Sequence, residues 1–148
     1  MSCLWIGLSG VLAVSVSNAL GQQATRNKNI AALEETIKGK ESLPAEQVFK
    51  NIQVMKGMPA QRVLRVMEFA FTPALGVECE HCHNESKWES DEKEEKGIAR
   101  KMWGMQGEIT EKVRGIVNKE GAAVNCTTCH RGDVHPALNL PGEGRNRN

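Results

Sequence analysis

Cys79-Glu80-His81-Cys82-His83 and Cys126-Thr127-Thr128-Cys129-His130 are two copies of one short pattern, Cys-x-x-Cys-His. Two thiols three positions apart on a tight turn are spaced to add to the two vinyl groups on one edge of a porphyrin. A histidine directly after the second thiol is then held beneath the iron, where its imidazole becomes an axial ligand. This is the attachment signature of a c-type haem, and the chain carries it twice in 148 residues. A four-thiolate zinc site in an interaction module explains the cysteines but does not require histidine after both pairs. The motifs therefore predict two covalently bound haem c groups. Cys79 and Cys82 hold one and Cys126 and Cys129 the other, with His83 and His130 on the irons.

The context of the motifs repeats as well. Val77-Glu78-Cys79 and Val124-Asn125-Cys126 are equivalent points, with Gly76 and Gly121 ahead of them. Before Gly76, Val63, Leu64, Met67, Ala70 and Phe71 have the spacing of an amphipathic helix, expected to end ahead of Pro73. Before Gly121, Ile98, Met102, Met105, Ile109, Val113 and Ile116 form a longer apolar stripe, on a helix that Asp91 is expected to open. Ser42-Leu43-Pro44-Ala45-Glu46 reads as another helix start, leading into Val48, Phe49 and Ile52, and Gly57-Met58-Pro59 breaks that element. No strand pattern is visible. The fold predicted is mainly α: a small multihaem c-type cytochrome in which a helix–turn–Cys-x-x-Cys-His module occurs twice.

A six-coordinate electron-transfer haem needs a second axial ligand, methionine or another histidine. Met67 sits on the apolar helix face before the first motif, and the turn after it easily reaches Cys79. For the second haem Met102 and Met105 share a stripe. A helix reaching Asn118 puts Met105 ~20 Å back along it and Met102 ~24 Å. The residues from Lys119 to Asn125 span at most about 23 Å, so Met105 demands less extension. Gly104 and Gly107 flank Met105, at about 1 kcal/mol each relative to alanine; close approach of a porphyrin to the backbone would offset that. His135 is the alternative ligand by folding back, and His81 points away from its own iron.

The first twenty-one residues carry no charged side chain, and Leu4 to Leu20 form an apolar stretch ending in Ala19-Leu20-Gly21. This reads as a signal peptide over residues 1–21, cleaved before Gln22, with Cys3 in the discarded leader. The alternative is a retained anchor at the short limit for spanning a bilayer. Residues 22–41 are a linker or loosely docked helix around Ile30, Leu33 and Ile37. Residues 42–135 form the dihaem domain, and 136–148 an irregular tail rich in Pro, Gly and Asn. Three Trp, three Phe and no Tyr leave little material for a core, which two porphyrins would supplement. A formal net charge of +1 without a basic patch excludes a nucleic-acid binder.

Taken together, Val48-Phe49-Lys50-Asn51-Ile52-Gln53-Val54, Gly76 through His83, Ala99-Arg100-Lys101-Met102 and Cys126-Thr127-Thr128-Cys129-His130-Arg131-Gly132 resemble the cytochrome c subunit of photosynthetic reaction centres. The resemblance covers most of residues 44–135. It implies that each module is a helix donating methionine, a turn and the attachment motif, with Met67 and Met105 matching the methionine ligands and His83 and His130 the histidines. The photosynthetic subunit carries four haems in two such halves; two motifs make this chain similar to a single half.

The function expected is electron transfer by an exported, periplasmic or extracytoplasmic dihaem cytochrome that is not an enzyme. Its expected partners are redox proteins, such as a membrane-bound reaction centre or respiratory complex, with association at a membrane surface and none with nucleic acid. A small peroxidase or reductase would need an open iron face and a polar distal pocket, and no such constellation is visible.

Overall fold

A computed structural model describes residues 9–139, and these are mainly helical. The elements are α1 (Ser9–Thr36), α2 (Ala45–Val48), α3 (Ala60–Val66), a π-helical segment (Met67–Phe71), α4 (Thr72–Leu75), a 3₁₀ turn (Cys79–His81), α5 (Glu94–Val117) and α6 (Cys126–Cys129). The only β contacts among the described residues are two isolated bridges, Pro44 with Pro59 and Asn84 with Lys87. Residues 1–8, with Cys3, and 140–148 lie outside the description, so the leader and tail fall partly there. Among the described residues no helix is long and apolar enough to cross a membrane.

The proposed division at Gly21 falls within α1, which runs through it without a break. The end of α1 docks by its apolar positions: Ile30 is buried at 9% exposure and Ile37 is wholly buried. Ile37 packs with Ala60 and Leu64, flanked by Leu33, Val48 and Phe49. Ala45, Met55 and Val63 make a second cluster, against which Phe49, Ile52, Met67, Phe71 and Trp103 pack. Phe49 touches both clusters and joins them.

Two prolines start two helices in parallel fashion. Pro44 caps α2 and Pro59 caps α3, each at a fixed φ suited to that position. Across the bridge between them, Ala45 N donates to the Met58 carbonyl at 2.8 Å and Ala60 N to the Leu43 carbonyl at 2.9 Å. The α2 element is one turn only and begins at Ala45, later than Ser42 suggested.

The helix expected to stop before Pro73 does not stop there. At Met67 the ladder widens into a π turn, with Thr72 N and the Thr72 hydroxyl both directed at the Met67 carbonyl. Pro73 follows in the first turn of α4, where a missing N–H costs least. Gly76, at φ +67°, ends α4 in the left-handed conformation that closes many helices.

The α5 helix begins at Glu94, three residues after Asp91, because Asp91 is committed elsewhere. Its carboxylate pairs with Arg100 at 2.9 Å and Lys96 at 3.4 Å, which places it beside the first turn rather than in it. Asn118, at φ +46°, ends α5 before Gly121 is reached.

Candidate haem attachment sites

The first motif follows the Gly76 turn. Cys79–His81 is one 3₁₀ turn, and His83 N donates to the Cys79 carbonyl at 3.0 Å. The second occupies α6, with His130 N donating to the Cys126 carbonyl at 2.9 Å. Cysteines three apart on a helical turn share one face, and the histidine four after the first lies on that side too. The four motif cysteines form no disulfide among the described residues. Burial pushes the thiols of Cys79, Cys82 and Cys126 above the ordinary cysteine value. No group of three or more His, Cys, Asp or Glu among the described residues is placed to hold a metal ion, so the four thiols do not converge on one zinc centre.

Both motif histidines are oriented through the same ring atom. His83 Nδ1 lies 3.3 Å from the Trp88 carbonyl oxygen, and His130 Nδ1 lies 3.1 Å from that of Asp133. A carbonyl can only accept, so each Nδ1 carries a proton, and in the neutral ring that arrangement leaves the lone pair on Nε2. Metal-ligating histidines are commonly fixed in this way. Burial also holds His83 below the usual imidazole value, favouring the neutral ring. Trp88 leans on His83, ring centroids 5.4 Å apart. Its carbonyl is steadied by Lys96 Nζ at 2.9 Å.

The two turns are stabilised differently. Asn125 and Thr128 form a capping box around α6. The first motif has no side-chain cap; α1 clamps it instead, with Arg26 paired to Glu78 and Asn29 bonded to Glu85. Lys93 Nζ donates to the Glu80 carbonyl from the other side.

Met67 is half-buried at the start of the π segment, against the second core cluster. π turns inside helices recur at functional sites. Met102 and Met105 lie on α5, 41% and 46% exposed, and their exposure does not separate them. The α5 helix docks by a face roughly a third of a turn from its apolar stripe. Trp103 stacks on Phe71 at 6.1 Å, Lys96 and Thr110 are buried, and Gln106 Nε2 donates to the Val124 carbonyl at 2.5 Å. Among the described residues nothing covers most of this stripe: Ile98 and Ile116 are 49% and 82% exposed, while Ile109 and Val113 are half-buried. A β-carbon at Gly104 or Gly107 would meet no atom within 4 Å among the described residues. An open apolar face bearing thioethers and bare backbone fits a flat apolar group such as a porphyrin. The segment after Asn118 returns along α5, and Val124 is laid beside Thr110 and Gln106.

His135 is exposed, its N–H tied to the Asp133 carboxylate at 2.8 Å, and His81 is half-buried. The Trp88 and Asp133 carbonyls, Arg26, Gln106 and Thr110 were not singled out in the sequence. Backbone acceptors leave no mark in residue identity, and polar residues between apolar positions read as solvent-facing.

A mainly helical chain of this kind is consistent with a small cytochrome c. The profile of the photosynthetic reaction centre cytochrome C subunit matches residues 3–140, and the chain belongs to that family. It is similar to cytochrome c-554 of Chloroflexus aurantiacus, 35% identical over 95 residues, which are 64% of this chain and 22% of that protein. It is also similar to the photosynthetic reaction center cytochrome c subunits of Roseobacter denitrificans and Thermochromatium tepidum. These are 36% and 31% identical over 99 and 105 residues, covering 63% and 65% of this chain and 26% of each relative. The chain thus spans about a quarter of the length of the curated relatives it matches. Membership implies covalently bound haem c, and the relatives are named as cytochromes, not as enzymes.

Proposed function

We propose that the protein is an extracytoplasmic dihaem electron carrier, built as two helix–turn–attachment modules within residues 42–135. The observation that carries this reading is the shared orientation of His83 and His130, each tied at Nδ1 to a carbonyl with Nε2 left for a metal. Haem c, when bound, supplies a one-electron iron couple. Cys79 and Cys82, and Cys126 and Cys129, would anchor the two groups through thioethers, and His83 and His130 would each offer a nitrogen to an iron. Met67 would offer a sulfur to the first iron and Met105 to the second. Support for Met105 over Met102 comes from Val124, held level with Gln106 and Thr110, so that Cys126 arrives near the same level of α5. Thioether ligation raises the potential of both irons. The partner is a membrane-associated redox complex, a reaction centre or a respiratory one, met outside the cytoplasmic membrane after export and removal of residues 1–21.

Intact mass of the exported protein tests this reading, together with its amino-terminal sequence and the reduced spectrum with and without carbon monoxide. Expected are two haems, a new terminus at Gln22 and bands unmoved by carbon monoxide. One haem, or a band that shifts, would overturn the corresponding part.

A further inference from the structure

The turn before the first motif and the end of the second motif meet backbone to backbone. Gly132 N donates to the Ala74 carbonyl at 2.7 Å. A β-carbon at Gly76 would run into the Gly132 carbonyl oxygen and lie 3.0 Å from its carbon. Both glycines have positive φ, +67° and +91°, and Arg131 between His130 and Gly132 is also left-handed at +54°. Only glycine at position 76 permits this approach.

The junction leads directly to a ligand. Asp133, the residue after Gly132, donates its N–H to the His130 carbonyl at 3.1 Å, and its own carbonyl receives His130 Nδ1 at 3.1 Å. A shift of Gly132 therefore moves the acceptor that orients the His130 ring. His83 takes no part: its acceptor, the Trp88 carbonyl, is fixed by Lys96 from α5. We infer that Gly76 and Gly132 are positioning residues for His130, so that the turn preceding the first attachment motif sets the axial ligand of the second. This rests on the dihaem reading above and adds to it a dependence of one site on the other.

The test is Gly76→Ala in the holoprotein, compared with Gly39→Ala. Gly39 has a similar φ of +77° but no atom within 4 Å of an added β-carbon, so it reports backbone strain alone. The readouts are the midpoint potential of each haem and the hyperfine-shifted proton resonances of the ferric protein. The first haem is identified by cross-relaxation to Trp88, which lies against His83. Gly76→Ala is expected to move the resonances of the His130 haem and shift its potential, whether or not the His83 haem moves too, while Gly39→Ala leaves both in place. If Gly76→Ala does not accumulate, Gly132→Ala strains the same junction through its backbone, at φ +91°, because the new carbon meets only the Pro73 carbonyl at an ordinary 3.9 Å. It is expected to give the same shift. Two haems by mass with the His130 signals unmoved would overturn the junction alone. Fewer than two haems in the unmodified protein would overturn the dihaem reading and the junction with it.

Discussion

The hydroxyl of Thr110 stands 3.3 Å from the nitrogen of Val124 and 3.3 Å from its carbonyl oxygen, so one side chain satisfies both polar groups of a residue that leads into the second motif. Thr110 is buried, and Gln106 donates to the same carbonyl and to the Thr110 hydroxyl. Thr110→Val keeps the shape and removes three bonds, leaving the Val124 N–H without its acceptor while Gln106 still serves the Val124 carbonyl. It is expected to lower stability by about 1–3 kcal/mol, the cost of unsatisfied buried groups. Faster hydrogen exchange at the Val124 amide would confirm that the loss is local.

The assignment of sulfur ligands predicts an asymmetry between neighbouring methionines. Ferric haem with His/Met ligation has a weak far-red charge-transfer band. Met67→Ala and Met105→Ala should each remove it from one haem and lower that haem's potential. Met102→Ala should leave both bands, and cost well under the ~2–5 kcal/mol of a buried truncation because Met102 is 41% exposed. Loss of the band in Met102→Ala but not in Met105→Ala would move the assignment by one helical turn.

Arg26 and Glu78 are joined with side chains only 20% and 15% exposed, and the guanidinium pKa is raised by that bond. Arg26→Ala is expected to cost about 1–2 kcal/mol, less than a fully buried pair. The first motif should loosen and the second should not. Limited proteolysis near Glu78 checks this; equal loosening at both motifs would argue against a local clamp.

Asn51, then Arg100 and Lys96, hold the Asp91 carboxyl down at about 2, against an ordinary value of 3.8. A depressed folded value means that stability is fully present above pH ~4 and lost as pH falls toward ~2. Asp91→Asn should therefore flatten the acid limb of the stability profile over that interval and leave its slope near neutrality unchanged. Denaturant midpoints measured between pH 5 and pH 2 would show it.

The helical class and the family were legible, because apolar periodicity marks helices and the Cys-x-x-Cys-His spacing is read directly from residue type. The stripe from Ile98 to Ile116 was legible as a helix face but not as the face turned away from the chain's own core. Periodicity reports which residues are apolar, not what covers them. Pro73 suggested a helix end, since a regular α ladder does not admit it, and the π turn that accommodates it has no residue signature. Asp91 suggested a helix start by its charge alone. Its partners Arg100 and Lys96 follow it in sequence, and only the folded loop brings them to it. The α1 clamp on the first motif joins residues 52 positions apart, beyond the reach of local pattern.

The widened turn at Met67–Phe71 also acts as a phase shift. It holds one more residue per turn than the α ladders on either side, so all that follows is set at an azimuth the upstream helix would not give. If the same five residues wound as a regular α ladder instead, the downstream chain would turn by about 100° about the axis. The core face upstream, with Val63 and Leu64, would stay where it is. The Ala74 carbonyl and the Gly76 turn would swing away from Gly132, parting two motifs whose own residues had not been touched.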